Sequence, residues 1–124
     1  STRTAYIVRV ARTAGGKRNG RVSHVHPAAL GASAVDAALS RAGEFDYGLV
    51  DDVIFGCVSQ VGAQGANVGR NVVLNSKLLP LGVPGTSVDR QCGSSQQAIH
   101  FAAQAVMSGT QDIVVAGGVE SMSM

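Results

Sequence analysis

The chain has 124 residues, of which 45% are apolar and 15% charged, so it is long enough for one domain with a hydrophobic core and unlike a disordered protein. Its net charge of +2 is too small to indicate a nucleic-acid or membrane partner, and no apolar run approaches the roughly 20 residues that span a bilayer. The two cysteines, Cys57 and Cys92, form no CxxC motif. We therefore expect neither a disulfide framework nor a metal site, and a reducing cytoplasm fits best.

The N-terminal part of the chain is basic, because its first 24 residues contain arginine and lysine but no aspartate or glutamate. Such a composition occurs in transit peptides, but residues 5–11 are typical of a strand and not of an amphipathic helix, so we assign them to the fold. The stretch 15–20 that follows is a loop on composition. Its basic residues, 17–21, are interpreted as solvated, with anion binding as the alternative.

Helix and strand patterns alternate through the middle of the chain. Pro27 suits the first position of a helix whose apolar residues repeat at helical spacing until Gly43 ends it. The apolar run 53–58 predicts a strand buried on both faces. A second helix is predicted from about residue 67 to residue 79, where Pro80 stops it.

The same alternation continues to the end of the chain. A short strand is predicted from Thr86 to Asp89, and a third helix from residue 93 to residue 108, with Gly109 at its end. A fourth strand is predicted over residues 112–116. The order β-α-β-α-β-α-β predicts a mainly parallel sheet covered by helices, and 16 glycines predict close approaches between backbones.

Cys92 is the best candidate for chemistry, because it lies where the third predicted strand meets the third helix. There it faces unpaired backbone N–H groups and the positive end of the helix dipole, which favour the nucleophilic thiolate. Gly93 lets a substrate approach, and a backbone N–H at the turn can donate to an oxyanion formed when Cys92 attacks an acyl group. The alternative is a small residue buried at a helix start.

No base for Cys92 is evident nearby. His100 lies eight residues further on, roughly 12 Å away along a helix, and is interpreted as a packed or surface residue. His24 and His26 could be brought near Cys92 by the fold, although histidines beside a proline are more often found at helix starts. The glycine-rich loop 62–70 weakly resembles a phosphate-binding loop, with a surface loop as the alternative. Cys57 is interpreted as a small buried side chain.

Several segments together resemble the thiolases, the acetyl-CoA acetyltransferases and 3-ketoacyl-CoA thiolases. Residues 87–98, with Cys92 at their centre, resemble the active-site cysteine motif of that family. The N-terminal family motif is matched by Ala11, Arg12, Thr13, Gly16 and Lys17, and its second and fourth strands by residues 52–58 and 115–123. The chain departs from the common pattern at Ala14, at Asp89 and Arg90, and at Ser95. Neighbours of the cysteine shape the acyl pocket, so these departures leave the acyl chain length open.

The resemblance implies that Cys92 takes the acyl group as a thioester and passes it to coenzyme A or to an acetyl-CoA carbanion, with its backbone N–H in the oxyanion hole. Coenzyme A and acyl-CoA would be substrates, and no cofactor would be permanently bound. The Gly-His-Pro, Asn-Glu-Ala-Phe and second-cysteine motifs of the family are absent here, and no histidine of this chain inherits their role. Residues 1–124 are therefore expected to be an N-terminal half-enzyme that is inactive alone.

The resemblance also implies a homodimer or a dimer of dimers, in which the strand from Thr86 to Asp89 pairs across a two-fold axis. Two alternatives to a thiolase stay open. A ketoacyl-synthase-type condensing enzyme also uses a cysteine at a strand–helix junction, and a non-catalytic thiolase-like scaffold would retain Cys92 without turnover. A nucleotide-binding module built on the loop 62–70 ranks behind both.

Overall fold

The computed structural model describes residues 3–123, which form a parallel sheet with helices packed on both faces. The helices are α1 (Pro27–Arg41), α2 (Val68–Asn75) and α3 (Ser94–Met107), and the strands are β1 (Asp52–Gly56), β2 (Gly85–Val88) and β3 (Val114–Gly118). Single 3₁₀ turns lie at Tyr47–Leu49 and Gly62–Gln64. All strand pairs are parallel and the order is β2-β1-β3. The predicted parallel α/β architecture is confirmed.

The middle strand, β1, is buried on both faces, as its apolar sequence predicts. Phe55 packs with α1 and α2 on one face, where a Cβ at Gly31 would overlap its ring and a Cβ at Gly117 would lie tightly against it. On the other face Ile54 packs against Ala98 and Ala102 of α3. Burying a side chain such as Phe or Ile stabilises the folded state by about 1.5–3 kcal/mol. Because β1 buries side chains on both faces, it lies at the centre of the core.

Helix α1 begins and ends where the sequence predicts. Pro27 occupies the first turn, and Nδ1 of His26 accepts a hydrogen bond from the N–H of Ala28 at 3.1 Å, which caps the helix. Gly43 follows the last turn with a φ of +94°, a conformation that glycine adopts without strain. His26 therefore has a structural role at a helix start.

Helix α2 is shorter than predicted, because it ends at Asn75 and not near Pro80. The backbone of Ser76 is extended, and its Oγ accepts hydrogen bonds from the N–H groups of Leu78 and Leu79 at 3.2 and 2.9 Å. The carboxylate of Asp36, on α1, accepts from the hydroxyl of Ser76 and from the N–H of Lys77. A contact with another helix thus ends α2 four residues before the proline could.

The strand predicted over residues 5–11 is wrong. Within residues 3–123 this segment pairs with no strand, and the side chains of Tyr6 and Ile7 are 80% and 78% exposed. It borders an open cavity of about 1800 Å³ together with α1, α3 and β3. A strand needs a partner for its backbone N–H and C=O groups, and the described residues provide none.

The last strand lies two residues later than predicted. The N–H groups of Asp112 and Ile113 donate to the carboxylate of Asp51 at 2.7 and 3.3 Å, so these residues form the approach to β3.

None of the helices in the described part of the chain is long and apolar enough to cross a membrane.

Candidate active site

A cavity of about 320 Å³ lies at the carboxyl ends of β1 and β3, where the amino end of α3 meets them. In parallel α/β sheets this edge is the usual place for ligand sites. Three short stretches form the cavity: residues 56–58 at the end of β1, residues 92–96 around the start of α3, and residues 118–120 at the end of β3. Cys92 and Cys57 both line it, so the fold brings the two cysteines to one site.

Cys92 lies in a tight turn between β2 and α3. Its φ of +63° is in the left-handed region, which costs a non-glycine residue roughly 1 kcal/mol or more. The turn is closed by a 2.7 Å hydrogen bond from the N–H of Gly93 to the carbonyl of Arg90. The hydroxyl of Ser94 adds two bonds of 3.1 Å, accepting from the N–H of Arg90 and donating to its carbonyl. Surrounding contacts therefore hold an exposed cysteine in a strained conformation, as is common at functional sites.

The first turn of α3 has no side-chain cap. Its N-terminal N–H groups and the positive end of the helix dipole therefore remain near Cys92 and can stabilise negative charge. This agrees with the expectation that a backbone N–H at Cys92 donates to an oxyanion, which stays a prediction.

Two glycines let α3 approach the sheet this closely. A Cβ at Gly56 would overlap the backbone of Ser94 and Ser95, and a Cβ at Gly118 would overlap the side chain of Ser95. Gly56 and Gly118 are register partners in β1 and β3, so the amino end of α3 lies directly over this pair. The close approach predicted from the glycine content is confirmed at the cavity.

Glu120 is the residue that sequence reasoning missed at this site. Its carboxylate accepts hydrogen bonds from the N–H groups of Val58 and Ser59 at 2.8 and 3.2 Å, and from Nε2 of Gln64 at 2.9 Å. Partial burial acts to raise the pKa of Glu120, but these hydrogen bonds outweigh it, and the net pKa is lowered. The signal in the sequence was that Glu120 lies in the stretch 115–123, which resembles the fourth-strand motif of the thiolases, but that resemblance assigned it no role.

Cys57 is only 1% exposed, which confirms its interpretation as a small buried side chain. Its Sγ lies 3.7 Å from Oε2 of Glu120, to which it donates. Burial, followed by the charge of Glu120 and this hydrogen bond, raises the pKa of the Cys57 thiol to about 11. Cys57 is therefore protonated at neutral pH and is a poor nucleophile.

The histidines lie elsewhere. No histidine lines the cavity: His26 caps α1, His24 is exposed in the preceding turn, and His100 is exposed on α3. The possibility that His24 or His26 meets Cys92 is therefore not supported. Among residues 3–123 no group of three potential metal-ligating side chains is found.

The loop 62–70 does not form a phosphate cradle. At the start of α2, Ser87 Oγ accepts from the N–H of Gly69 at 3.1 Å, and Asn67 Oδ1 accepts from the N–H of Arg70 at 3.2 Å. A Cβ at Gly69 would overlap the carbonyl oxygen of Thr86. The helix terminus is thus occupied by its own cap and by β2, with no room for a phosphate group.

The fold and site define a parallel α/β protein with an exposed cysteine at a helix start. Residues 5–124 match the family model described as "Thiolase, N-terminal domain". The chain belongs to the thiolase family.

Similar proteins agree with this assignment. A steroid 3-ketoacyl-CoA thiolase of Mycobacterium tuberculosis is 53% identical over 119 residues, which are 96% of this chain and 29% of that protein. A beta-ketoadipyl-CoA thiolase of Acinetobacter baylyi is 44% identical over 119 residues, which are again 96% of this chain and 29% of that protein. The crystal structure of the Bacillus anthracis acetyl-CoA acetyltransferase superposes with a TM-score of 0.90 at 34% identity, covering 98% of this chain and 30% of that one. The chain thus spans about three tenths of the length of these relatives.

Proposed function

We propose that this chain is the N-terminal part of a thiolase that transfers an acyl group between a thioester on Cys92 and coenzyme A. The observation that carries this proposal is the exposed Cys92, held at a φ of +63° beside the uncapped start of α3 in the cavity at the strand ends. Cleavage of a 3-ketoacyl-CoA is the favoured direction, because the relatives that are 53% and 44% identical are named for such substrates. Condensation of acetyl-CoA is the reverse reaction.

In the cleavage direction the Cys92 thiolate attacks the 3-keto carbon, and the carbonyl oxygen becomes an oxyanion. The backbone N–H of Cys92 and the positive end of α3 stabilise that charge. The bond between C2 and C3 then breaks, the electron pair stays on the acetyl-CoA carbanion, and a proton from an acid completes acetyl-CoA. The thiol of coenzyme A finally gives its proton to a base and attacks the acyl thioester, which releases acyl-CoA and the Cys92 thiolate.

The proton transfers require groups that the described cavity does not contain. Cys57 has a raised pKa and Glu120 a lowered one, so neither is matched to acid–base work near neutral pH. We infer that the acid and base come from the remainder of a longer cytoplasmic enzyme, and that residues 1–124 alone do not turn over.

A homodimer or dimer of dimers fits the same proposal. Strand β2 is at the edge of the sheet formed by the described residues, and its outer side pairs with no strand there, although Asn67 Nδ2 donates to the carbonyl of Gly85. Sedimentation of the full-length enzyme would measure the assembly, and a monomer would contradict this part of the proposal.

The test of the proposal is acylation of Cys92. Full-length enzyme exposed to acetyl-CoA should gain one acetyl group by intact mass, peptide mapping should place it on Cys92, and Cys92→Ser should abolish it. Label on another residue would reject Cys92 as the nucleophile, and no label at all would favour a non-catalytic scaffold. Condensation that depends on a malonyl thioester would favour a ketoacyl synthase.

A further inference from the structure

The carboxylate of Glu120 connects two segments that form one wall of the cavity. Glu120 follows β3 by two residues, and its main-chain partners, Val58 and Ser59, lie just beyond β1. The thiol of Cys57 donates to the same carboxylate. Cys57, Val58 and Glu120 all line the cavity, and the start of α3 with Cys92 lines it too.

Gln64 extends this connection. Its side chain is 1% exposed, and Nε2 donates both to Glu120 and to the carbonyl of Ser59 at 2.8 Å. The Oε1 atom accepts from the N–H of Ser121, the residue after Glu120. The turn after β1 and the end of β3 are therefore joined through both residues of a Glu–Gln pair, and not through backbone pairing alone.

Within residues 3–123, the hydrogen-bond partners of the Glu120 carboxylate are donors: two backbone N–H groups, the amide N–H of Gln64, the thiol of Cys57 and the side chain of Ser59. Glu120 makes no ion pair within residues 3–123, so its charge is balanced by these neutral donors. A glutamine in its place has one acceptor oxygen and one NH₂, and the NH₂ would face another donor. The arrangement thus requires a carboxylate and not merely a side chain of that size.

We propose that Glu120 is a positioning residue for acyl transfer, whose carboxylate holds the turn after β1 against the end of β3 and so fixes the cavity wall that orients the acyl group towards Cys92. This inference rests on the proposed function. Glu120 acts through Val58 and its neighbours and not on the nucleophile, because the turn that holds Cys92 is made by Arg90, Gly93 and Ser94.

The test compares two reactions of Cys92 in the full-length enzyme carrying Glu120→Gln. Acylation by acyl-CoA depends on the wall and should slow by about 10- to 100-fold, as expected when a reacting group is misplaced by about 1 Å. Alkylation by iodoacetamide depends on the thiol alone and should stay within about twofold of the wild type. Glu120→Asp keeps both acceptor oxygens and should recover part of the acylation rate. The exposed Glu44→Gln, outside the cavity, is the matched control.

Two results would overturn the proposal: acylation of Glu120→Gln at the rate of Glu44→Gln, or an equal loss of acylation and alkylation, which would mean a general structural role. If Glu120→Gln does not fold, the same comparison is made with Glu120→Asp, which should lose acylation by a smaller factor and leave alkylation unchanged. Wild-type enzyme is measured first. Absence of acylation there would reject the proposed function itself, and so separates the two failures.

Discussion

The carboxyl ends of β1 and β3 and the N-terminal segment of residues 3–19 differ in how closely the chain packs. At the strand ends, Gly56 and Gly118 leave no room for a Cβ beneath α3, and the carboxylate of the exposed Glu120 accepts four hydrogen bonds. In the N-terminal segment, Tyr6 and Ile7 are mostly exposed, and a Cβ at Gly15 would meet nothing within 4 Å.

The difference separates two reasons for small or apolar residues in this sequence. At the strand ends they allow backbones to approach, which places Cys92, the first turn of α3 and Glu120 around one cavity. In the N-terminal segment Gly15 has open space around it, and the close neighbour of Gly16 is the side chain of Val22, so these glycines bring no two backbones together. Precise placement of reacting groups requires the first kind of packing, because positions must be held within a fraction of an ångström.

The largest expected effect is that of a single methyl group at the strand ends. Gly56→Ala should destabilise the protein by about 3 kcal/mol or more, because its Cβ overlaps the backbone of Ser94 and Ser95 and no side chain can move aside. Gly15→Ala, with open space around it, should change stability by less than about 0.5 kcal/mol. Urea unfolding of both variants measures this. Equal effects would remove the contrast between the two regions.

The second prediction distinguishes the two cysteines of the tightly packed region. At pH 8 a thiol with a pKa of about 11 is thiolate in only about one molecule in a thousand, and Cys57 is also buried. We expect iodoacetamide to modify Cys92 at least about 100-fold faster than Cys57, because only the thiolate reacts. Peptide mapping over time gives both rates. Comparable rates would mean that the region around Cys57 opens readily, and the contrast with the N-terminal segment would weaken.

The sequence was sufficient to predict those elements whose conformation depends mainly on their own residues. Pro27 and Gly43 set the limits of α1, the apolar run of β1 predicts burial on both faces, and Cys92 lies at the predicted strand–helix junction. These features depend on local conformation and on hydrophobic periodicity, which are legible in one sequence.

The features that sequence reasoning missed depend on contacts between distant segments. Asp36 ends α2 from another helix, and residues 5–11 lack a strand to pair with among the described residues. Glu120 meets Val58 because the register pairs Gly56 with Gly118, which places the residues two positions further on side by side. No local pattern indicates that register.

A smaller effect is expected from the ionisation of Glu120. Since its pKa is lower in the folded protein than its ordinary value, its charge stabilises the fold above that ordinary value, and the stabilisation is lost as the pH falls through the lowered one. The Tm difference between wild type and Glu120→Gln should therefore be present at pH 7 and shrink below about pH 5. Glu44→Gln is the control, and a difference independent of pH would show that the carboxylate charge does not hold the wall.

The smallest effect is expected in the N-terminal segment. Ile7 is 78% exposed, so Ile7→Ser should change the unfolding free energy of residues 1–124 by less than about 0.5 kcal/mol. Val53→Ala, at a position that is 0% exposed, should destabilise by at least about 1 kcal/mol and serves as the buried control. A large effect of Ile7→Ser would show that this segment is packed after all.

The same substitution in the full-length enzyme tests why the predicted strand did not form. If a strand elsewhere in the enzyme pairs with residues 5–11, Ile7 becomes buried and its replacement costs about 1–3 kcal/mol.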